Sequence, residues 1–345
     1  MTNRQTATRA IRKELMKSVK RFHKKFPHAR LRMELDLDAL NAALGAYYRV
    51  ARAELVGKML IGFKSKDFFT PIGGVKDEYV ATELLMSEIL QPYQKGFQPK
   101  GIGEFLPEIL KVRRQKIDFL LDPIELEKSW LGGMTAAGSN PEDFPFEGFL
   151  FDKIIERVNT DIEMKLIWNG VYAAPTPGTA GDADTGMDGV LIQVTNAIAA
   201  SKITPTVTGV LDADNIVDAV EAVYDDVPEE LQDTPLIMLM SPKNKRLYKR
   251  SYRTSFGANA DYKGMKLLDT IEDTECEMLA APGMSGSNRL IITQKPNLVY
   301  LFDGVDEQTK LRTQVVDREI KVLGDLKIGA GFLIIKDLVF TNDQE

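Results

Sequence analysis

Residues 145–170 read PFEGFLFDKIIERVNTDIEMKLIWNG, and their periodicity decides the fold. Phe146, Leu150, Ile154, Ile155, Val158, Ile162 and Leu166 fall along one side of a helix. Pro145 suits a first turn, Glu147 suits the positive end of the helix dipole, and Asn169-Gly170 is a stop signal. The spacing predicts one helix of about 23 residues, at or beyond the ~8–20 usual in a globular domain. A helix of that length serves as a structural spine, with Asp152, Glu156, Asp161 and Glu163 expected on its polar side.

Upstream of the spine lies a Gly/Ser/Asn/Pro-rich connector, Gly132 to Pro145. Before it, Leu84 to Lys116 alternates short apolar runs with Pro92, Pro99, Gly101, Gly103 and Pro107, which reads as an extended or hairpin excursion. Pro71, Gly73 and Gly74 punctuate Gly62 to Val80, and a helical pattern runs from Asp36 to Leu60. The N-terminal segment carries another helical stripe, Ile11, Leu15, Val19, Phe22 and Phe26, which Pro27 ends. Its polar face is nearly all basic.

Downstream, Ala173 to Gly189 is a small-residue acidic loop, after which helices and strands alternate. Helices are expected at Ile192 to Ala200 and Asn215 to Tyr224, and Leu236 to Met240 is an apolar run of the buried-strand type. Ser241-Pro242 opens a further helix that Gly257 closes. Short strands follow at Glu277 to Ala280, Leu290 to Thr293 and Leu298 to Phe302. The stretch Lys310 to Thr341 predicts two or three strands, turned by Gly324-Asp325 and by Gly329-Ala330-Gly331.

Composition narrows the function classes. Of 345 residues, 44% are hydrophobic and 27% charged, which disfavours wholesale disorder, collagen and coiled coil. The longest apolar runs are about five or six residues against the ~20 that a bilayer demands, so the reading is a soluble, non-exported protein without a membrane segment. A single cysteine, Cys276, excludes an internal disulfide, and two histidines, His23 and His28, leave little material for His-based catalysis. The first 34 residues hold eleven Lys and Arg against Glu14 and Glu34, a local +9. With 44 basic and 50 acidic residues in all, 33 against 48 remain, so the rest of the chain stands at −15. A basic arm on an acidic body suits an end that meets polyanion or an acidic neighbour.

Motifs for chemistry are weak. Asp182, Asp184, Gly186 and Asp188 alternate as calcium ligands do, but Gln193 stands where the bidentate glutamate belongs, and an ordinary acidic loop is expected. Gly283 to Ser287 resembles a nucleophile elbow, but it ends in serine where glycine is needed and no histidine follows; a turn between strands is expected. Gly101-Ile102-Gly103 meets Leu106 where a dinucleotide site needs a third glycine. Glu275 and Glu277 flank Cys276 and disfavour a reactive thiolate. On the helix after Ser241, Lys243, Arg246, Arg250 and Arg253 form a basic stripe beside Tyr248 and Tyr252. Interleaved aromatics and cations can bind nucleic acid, whereas a solvated face or one meeting an acidic neighbouring subunit suits an acidic body better. No catalytic residue, cofactor or metal ligand emerges.

The element order resembles the major capsid proteins of tailed double-stranded DNA bacteriophages, which share the HK97-like shell fold. The likeness rests on Phe97–Gly101, Arg113–Asp118, Trp130–Gly133, Phe146–Gly170, Met187–Gly189, Met240–Lys243, Ala280–Gly283 and Thr293–Leu298. The resemblance implies an α+β fold with an N-terminal basic arm and lead-in (1–83), an extended loop reaching a neighbouring subunit (84–131), a peripheral domain with the spine helix (132–189 and 304–345) and an α/β axial domain (190–303). It implies a non-enzymatic virion component, assembled in the host cytoplasm through pentamers and hexamers into an icosahedral shell around double-stranded DNA. Scaffold, portal and decoration proteins are the further partners implied, and no cofactor or membrane. Arg12, Lys13, Lys17, Lys20, Arg21, Lys24 and Lys25 are the candidates to face DNA or a scaffold, and Lys100, Pro107, Arg113, Arg114, Lys116 and Asp118 to lie between subunits. Some relatives crosslink a lysine to an asparagine, but no local motif identifies such a pair here. Met1 to Arg32 is too short for a large scaffold domain, which leaves a separate scaffold or an uncleaved arm. Two rivals remain: an encapsulin-like nanocompartment shell whose N-terminal helix receives a cargo tail, and a two-domain carboxylate-dependent hydrolase.

Overall fold

The structure, a computed structural model, describes residues 37–86, 90–98, 100, 103–121, 146–256, 269–271, 274–303, 310–316 and 319–344. The chain runs through helix α1 (Leu37–Ile61), a short 3-10 turn (Lys64–Phe68), strands β1 (Thr70–Gly73), β2 (Glu78–Met86), β3 (Gly103–Lys111) and β4 (Arg113–Leu121), then the spine α2 (Phe146–Asp161). Next come α3 (Val190–Ala199), α4 (Ile216–Asp225), the one-turn α5 (Glu229–Gln232), β5 (Leu236–Met240), α6 (Pro242–Phe256), β6 (Glu277–Ala280), β7 (Ile291–Gln294), β8 (Leu298–Phe302), β9 (Lys310–Val316), β10 (Glu319–Phe332) and β11 (Val339–Thr341).

Strand β10 organises the first lobe. Antiparallel β4 runs along one side of it, from Ile320 opposite Leu121 to Ile328 opposite Arg113. On its other side β9 pairs with its first half and β8 with its second, and β1 extends the sheet in parallel with β8. Alternate residues Ile320, Val322, Leu326 and Ile328 are buried, as a half-covered strand requires. They face α1 and the spine, which contribute Leu55, Met59, Leu150, Phe151 and Ile155 to the same core.

The C-terminal strand expectation needs correction. The chain does not turn at Gly324-Asp325 or at Gly329 to Gly331; one strand of 14 residues passes through all of them. The glycines serve close approach instead. A Cβ on Gly329 would lie 2.7 Å from the Lys111 carbonyl oxygen, and one on Gly331 would lie 2.7 Å from Leu110 Cδ2. Bare backbone here lets the foot of β3 cross the sheet.

The spine also differs from a single α-helix. After Asp161 the chain widens into a π-helical turn, Ile162–Ile167, before Trp168. The wide turn carries Ile162, Glu163, Leu166 and Ile167 inward together. Glu163, expected on the polar side, is only 2% exposed.

The second lobe is built on the sheet β11-β7-β5-β6, in which β5 pairs in parallel with β6 and antiparallel with β7. Both faces of β5 are covered. Leu236, Met238 and Met240 pack with Val220 and Val223 of α4 and Tyr248 of α6, while Ile237 and Leu239 join the core that holds α3 and the spine. Two-sided burial explains the unbroken apolar run of that strand.

Candidate assembly surfaces

The first candidate surface is the hairpin of β2 and β3. Its strands pair antiparallel, with Glu78 opposite Lys111 and Met86 opposite Gly103. At the foot, Val75, Leu110 and Val112 form a small core with Val299 and Leu301. Val112 N–H donates to the Asp77 carbonyl at 2.8 Å, Lys327 Nζ reaches the Lys76 carbonyl at 2.9 Å, and Lys202 bridges Glu108 at 2.8 Å. Leu90, Tyr93 and Phe97 in the tip segment are 82%, 96% and 90% exposed. Three large apolar side chains held in water on one excursion are the signature of a surface meant to be covered.

A groove of about 610 Å³ opens between β4 and the spine. Ile117, Phe119, Leu150, Ile154, Val158 and Leu326 give it an apolar floor, and Lys116, Asp118, Lys153, Arg157 and Asp161 form a charged rim. Phe119 and Leu120 are each about half exposed beside it.

The two lobes are fastened at Glu163. One carboxylate oxygen accepts from Ser65 Oγ at 2.5 Å, Trp168 Nε1 at 3.2 Å and Gly283 N at 3.2 Å, and the other accepts from Ser65 N at 2.9 Å. One side chain thus joins the turn after α1, the spine and the loop after β6. Glycines allow that closeness. A Cβ on Gly283 would overlap the Glu163 carbonyl and the Trp168 ring, and one on Gly189 would come within 2.6 Å of the Trp168 carbonyl oxygen.

The expected intersubunit residues divide into two groups. Arg113, Arg114, Lys116 and Asp118 lie together on β4, which belongs to the central sheet and not to the excursion. Each has a partner within the chain: Arg113 stacks over the Tyr172 ring at 3.9 Å, Arg114 pairs with Asp325 at 3.1 Å, and Lys116 pairs with Asp118 at 2.6 Å. Pro107 is exposed on β3 opposite Thr82, and Lys100 Nζ donates to the Leu90 carbonyl at 2.7 Å. Arg12, Lys13, Lys17, Lys20, Arg21, Lys24 and Lys25 lie outside the described residues. The sequence reading put Glu163 on the polar side of the spine, named Phe97 only for the family likeness, and gave Leu90 and Tyr93 no role. Aromatics inside a Pro/Gly-rich stretch without helical or strand period were the available signal for the tip trio.

The remaining motifs take structural places. Asp188 Oδ1 accepts from Tyr172 N at 3.0 Å, and Asp182 precedes a short 3-10 turn, Ala183–Thr185, that contains Asp184. Ser285 sits after another 3-10 turn between β6 and β7 and donates to the Pro282 carbonyl at 2.6 Å. Burial, with Glu277 adding to it, pushes the Cys276 thiol up to about 12. On the spine Asp152, Glu156 and Asp161 are paired with Lys58, Lys153 and Arg157. Among the described residues no helix is long and apolar enough to cross a membrane.

No protein-family model matches the sequence, and no curated protein is found similar to it. Solved structures are similar. A chain of "Satellite phage P4 procapsid including size determination (Sid) protein" aligns over 89% of this chain and 97% of its own, at 12% identity and a TM-score of 0.56. A virus-like particle from Pyrococcus furiosus aligns over 86% and 99%, at 10% identity and 0.47, and an empty GTA particle capsid over 81% and 88%, at 10% and 0.49. At such identities the first likeness, which spans nearly both whole chains, shows the fold.

Proposed function

We propose that this chain, which has the α+β fold of the HK97-like capsid proteins, is the repeating subunit of a closed viral shell. The observation that carries the reading is the hairpin: a foot fixed by a small core and two lysines, and a tip that leaves Leu90, Tyr93 and Phe97 in water. An isolated protein gains nothing from that arrangement, whereas a neighbour's surface stabilises it. In this reading the tip of one subunit lies on the apolar groove between β4 and the spine of the next. Each contact is modest, and closed symmetry multiplies it.

The finer picture follows from the same reading. Residues 190–303 form the lobe nearest the capsomer centre, the spine and β10 form the outer lobe, and subunits gather as pentamers and hexamers into an icosahedral shell. The basic arm faces packaged double-stranded DNA, with sequence-blind, salt-dependent affinity from Lys17, Lys20, Lys24 and Lys25. Scaffold, portal and decoration proteins complete the virion, which assembles in the host cytoplasm.

Size exclusion and negative-stain microscopy of the expressed chain test the proposal. Rings or shells are expected, together with their loss in the triple variant L90S/Y93S/F97S, whose fold, read by circular dichroism, stays intact. A wild-type monomer at every salt and protein concentration overturns it. Particles filled with a cargo enzyme instead of DNA would move the chain to the nanocompartment class. Replacing the four arm lysines by glutamine should lower retained DNA, and unchanged retention rejects that role for the arm.

A further inference from the structure

Charge in the second lobe is divided between two flanks. From Ile203 to Pro242 the chain has no lysine or arginine, while nine carboxylates lie between Asp212 and Asp233, all of them exposed. Helix α6 then carries six cations and no acid. Two of them turn toward Asp269, Lys245 at 2.9 Å and Lys249 at 2.6 Å, and hold its carboxyl down at about 2. The other four, Lys243, Arg246, Arg250 and Arg253, step along the exposed face at intervals of three, four and three. Among the described residues none of these four enters an ion pair.

The surroundings of the stripe distinguish its partners. Tyr248 and Tyr252, which beside the cations suggested base stacking, are 1% and 8% exposed and belong to the core, so no aromatic platform faces outward here. Helix α4 packs against β11 and α6 against β6, and these are the two outer strands of the four-stranded sheet. The acidic and basic helices pack side by side on one face of this layer, α4 nearer one edge and α6 nearer the other. A body charged oppositely at opposite edges is complementary to its own copy placed head to tail, and a rotation that closes makes a ring.

We propose that the stripe Lys243, Arg246, Arg250 and Arg253 docks on the acidic flank, Asp218, Asp225, Glu229 and Glu230, of a second copy of this chain. The contact rests on the shell-subunit reading and gives it a direction: each lobe presents α6 to one neighbour and α4 with α5 to the other. Electrostatic complementarity of this kind sets register and encounter more than total affinity.

Charge reversal tests it. Exposed ion pairs are each worth a factor of about two to three, so turning two attractive contacts repulsive in R246E/R250E should weaken ring formation roughly thirtyfold. Native mass spectrometry and sedimentation velocity read that shift, and circular dichroism confirms the fold. A chain that also carries E229K/E230K should regain rings, and wild-type rings should loosen between about 0.1 and 0.5 M salt as screening shortens the interaction range. Wild-type rings together with unchanged R246E/R250E rings overturn this contact and leave the shell reading standing. A wild type that forms neither rings nor shells overturns the shell reading itself. Lost DNA retention with intact assembly would assign the stripe to nucleic acid and overturn the proposal, as would a paired reversal that fails to restore rings.

Discussion

Replacing Glu163 by glutamine isolates the fastening between the lobes. Three donors converge on one carboxylate oxygen, Ser65 Oγ, Trp168 Nε1 and Gly283 N, and Ser65 N meets the other. A carboxamide can keep its oxygen toward the three, but its NH2 then faces the Ser65 N–H. That donor-to-donor meeting costs about 1–3 kcal/mol, and the three surviving bonds each lose about 1 kcal/mol of charge assistance. The gross loss is about 4–6 kcal/mol. Removing a buried charge returns part of it, about 2 kcal/mol, because desolvation of the carboxylate is no longer borne. The net expectation is about 2–4 kcal/mol, read as a lower urea midpoint at unchanged slope for the unassembled chain. A cycle with S65A sharpens the measurement: the serine change should matter in the wild type and lose about 1 kcal/mol of its effect in the glutamine background. Glu163→Gln within about 0.5 kcal/mol of wild type, or additive effects in the cycle, would refute the four-donor account.

Two further perturbations have signs fixed by geometry. Gly283→Ala should cost about 2–4 kcal/mol in thermal unfolding because its Cβ overlaps backbone and a fully buried ring, whereas Gly186→Ala, which meets only the Gln115 side chain, should stay under about 1 kcal/mol. The Asp269 carboxyl is depressed from 3.8 to about 2 by Lys249 and Lys245, so its contribution is present above about pH 4 and is lost as pH falls toward 2. Half-exposed as it is, the group is worth no more than about 1 kcal/mol; Asp269→Asn should lose that at pH 7 and flatten the acid limb of a stability titration.

Elements dictated by local chemistry were legible in the sequence. Leu236 to Met240 announces a strand covered on both faces, Ser241-Pro242 marks the start of α6, and the periodic stripe from Phe146 places the spine. The layout of these pieces was enough to suggest the capsid fold that the solved structures share. Features set by distant neighbours were not legible. Gly329 and Gly331 look like turn residues until Lys111 and Leu110 lie against them, and Glu163 looks like a solvated helix acid until Ser65 and Gly283 converge on it from 98 and 120 residues away. The tip trio was hidden differently, because periodicity measures burial within one chain and says nothing of apolar side chains that stand exposed.

The position of β10 also bears on synthesis. It joins β4, β8 and β9, all of which precede it along the chain, so the central sheet cannot close until Glu319–Phe332 has been translated. Until then β4 lacks its hydrogen-bonded partner, Gly329 and Gly331 are not there to seat the hairpin foot, and the groove lacks Leu326 from its floor. A truncated product therefore exposes neither a seated hairpin nor a finished groove, and under the proposed shell function late closure of one strand would screen incomplete chains from assembly.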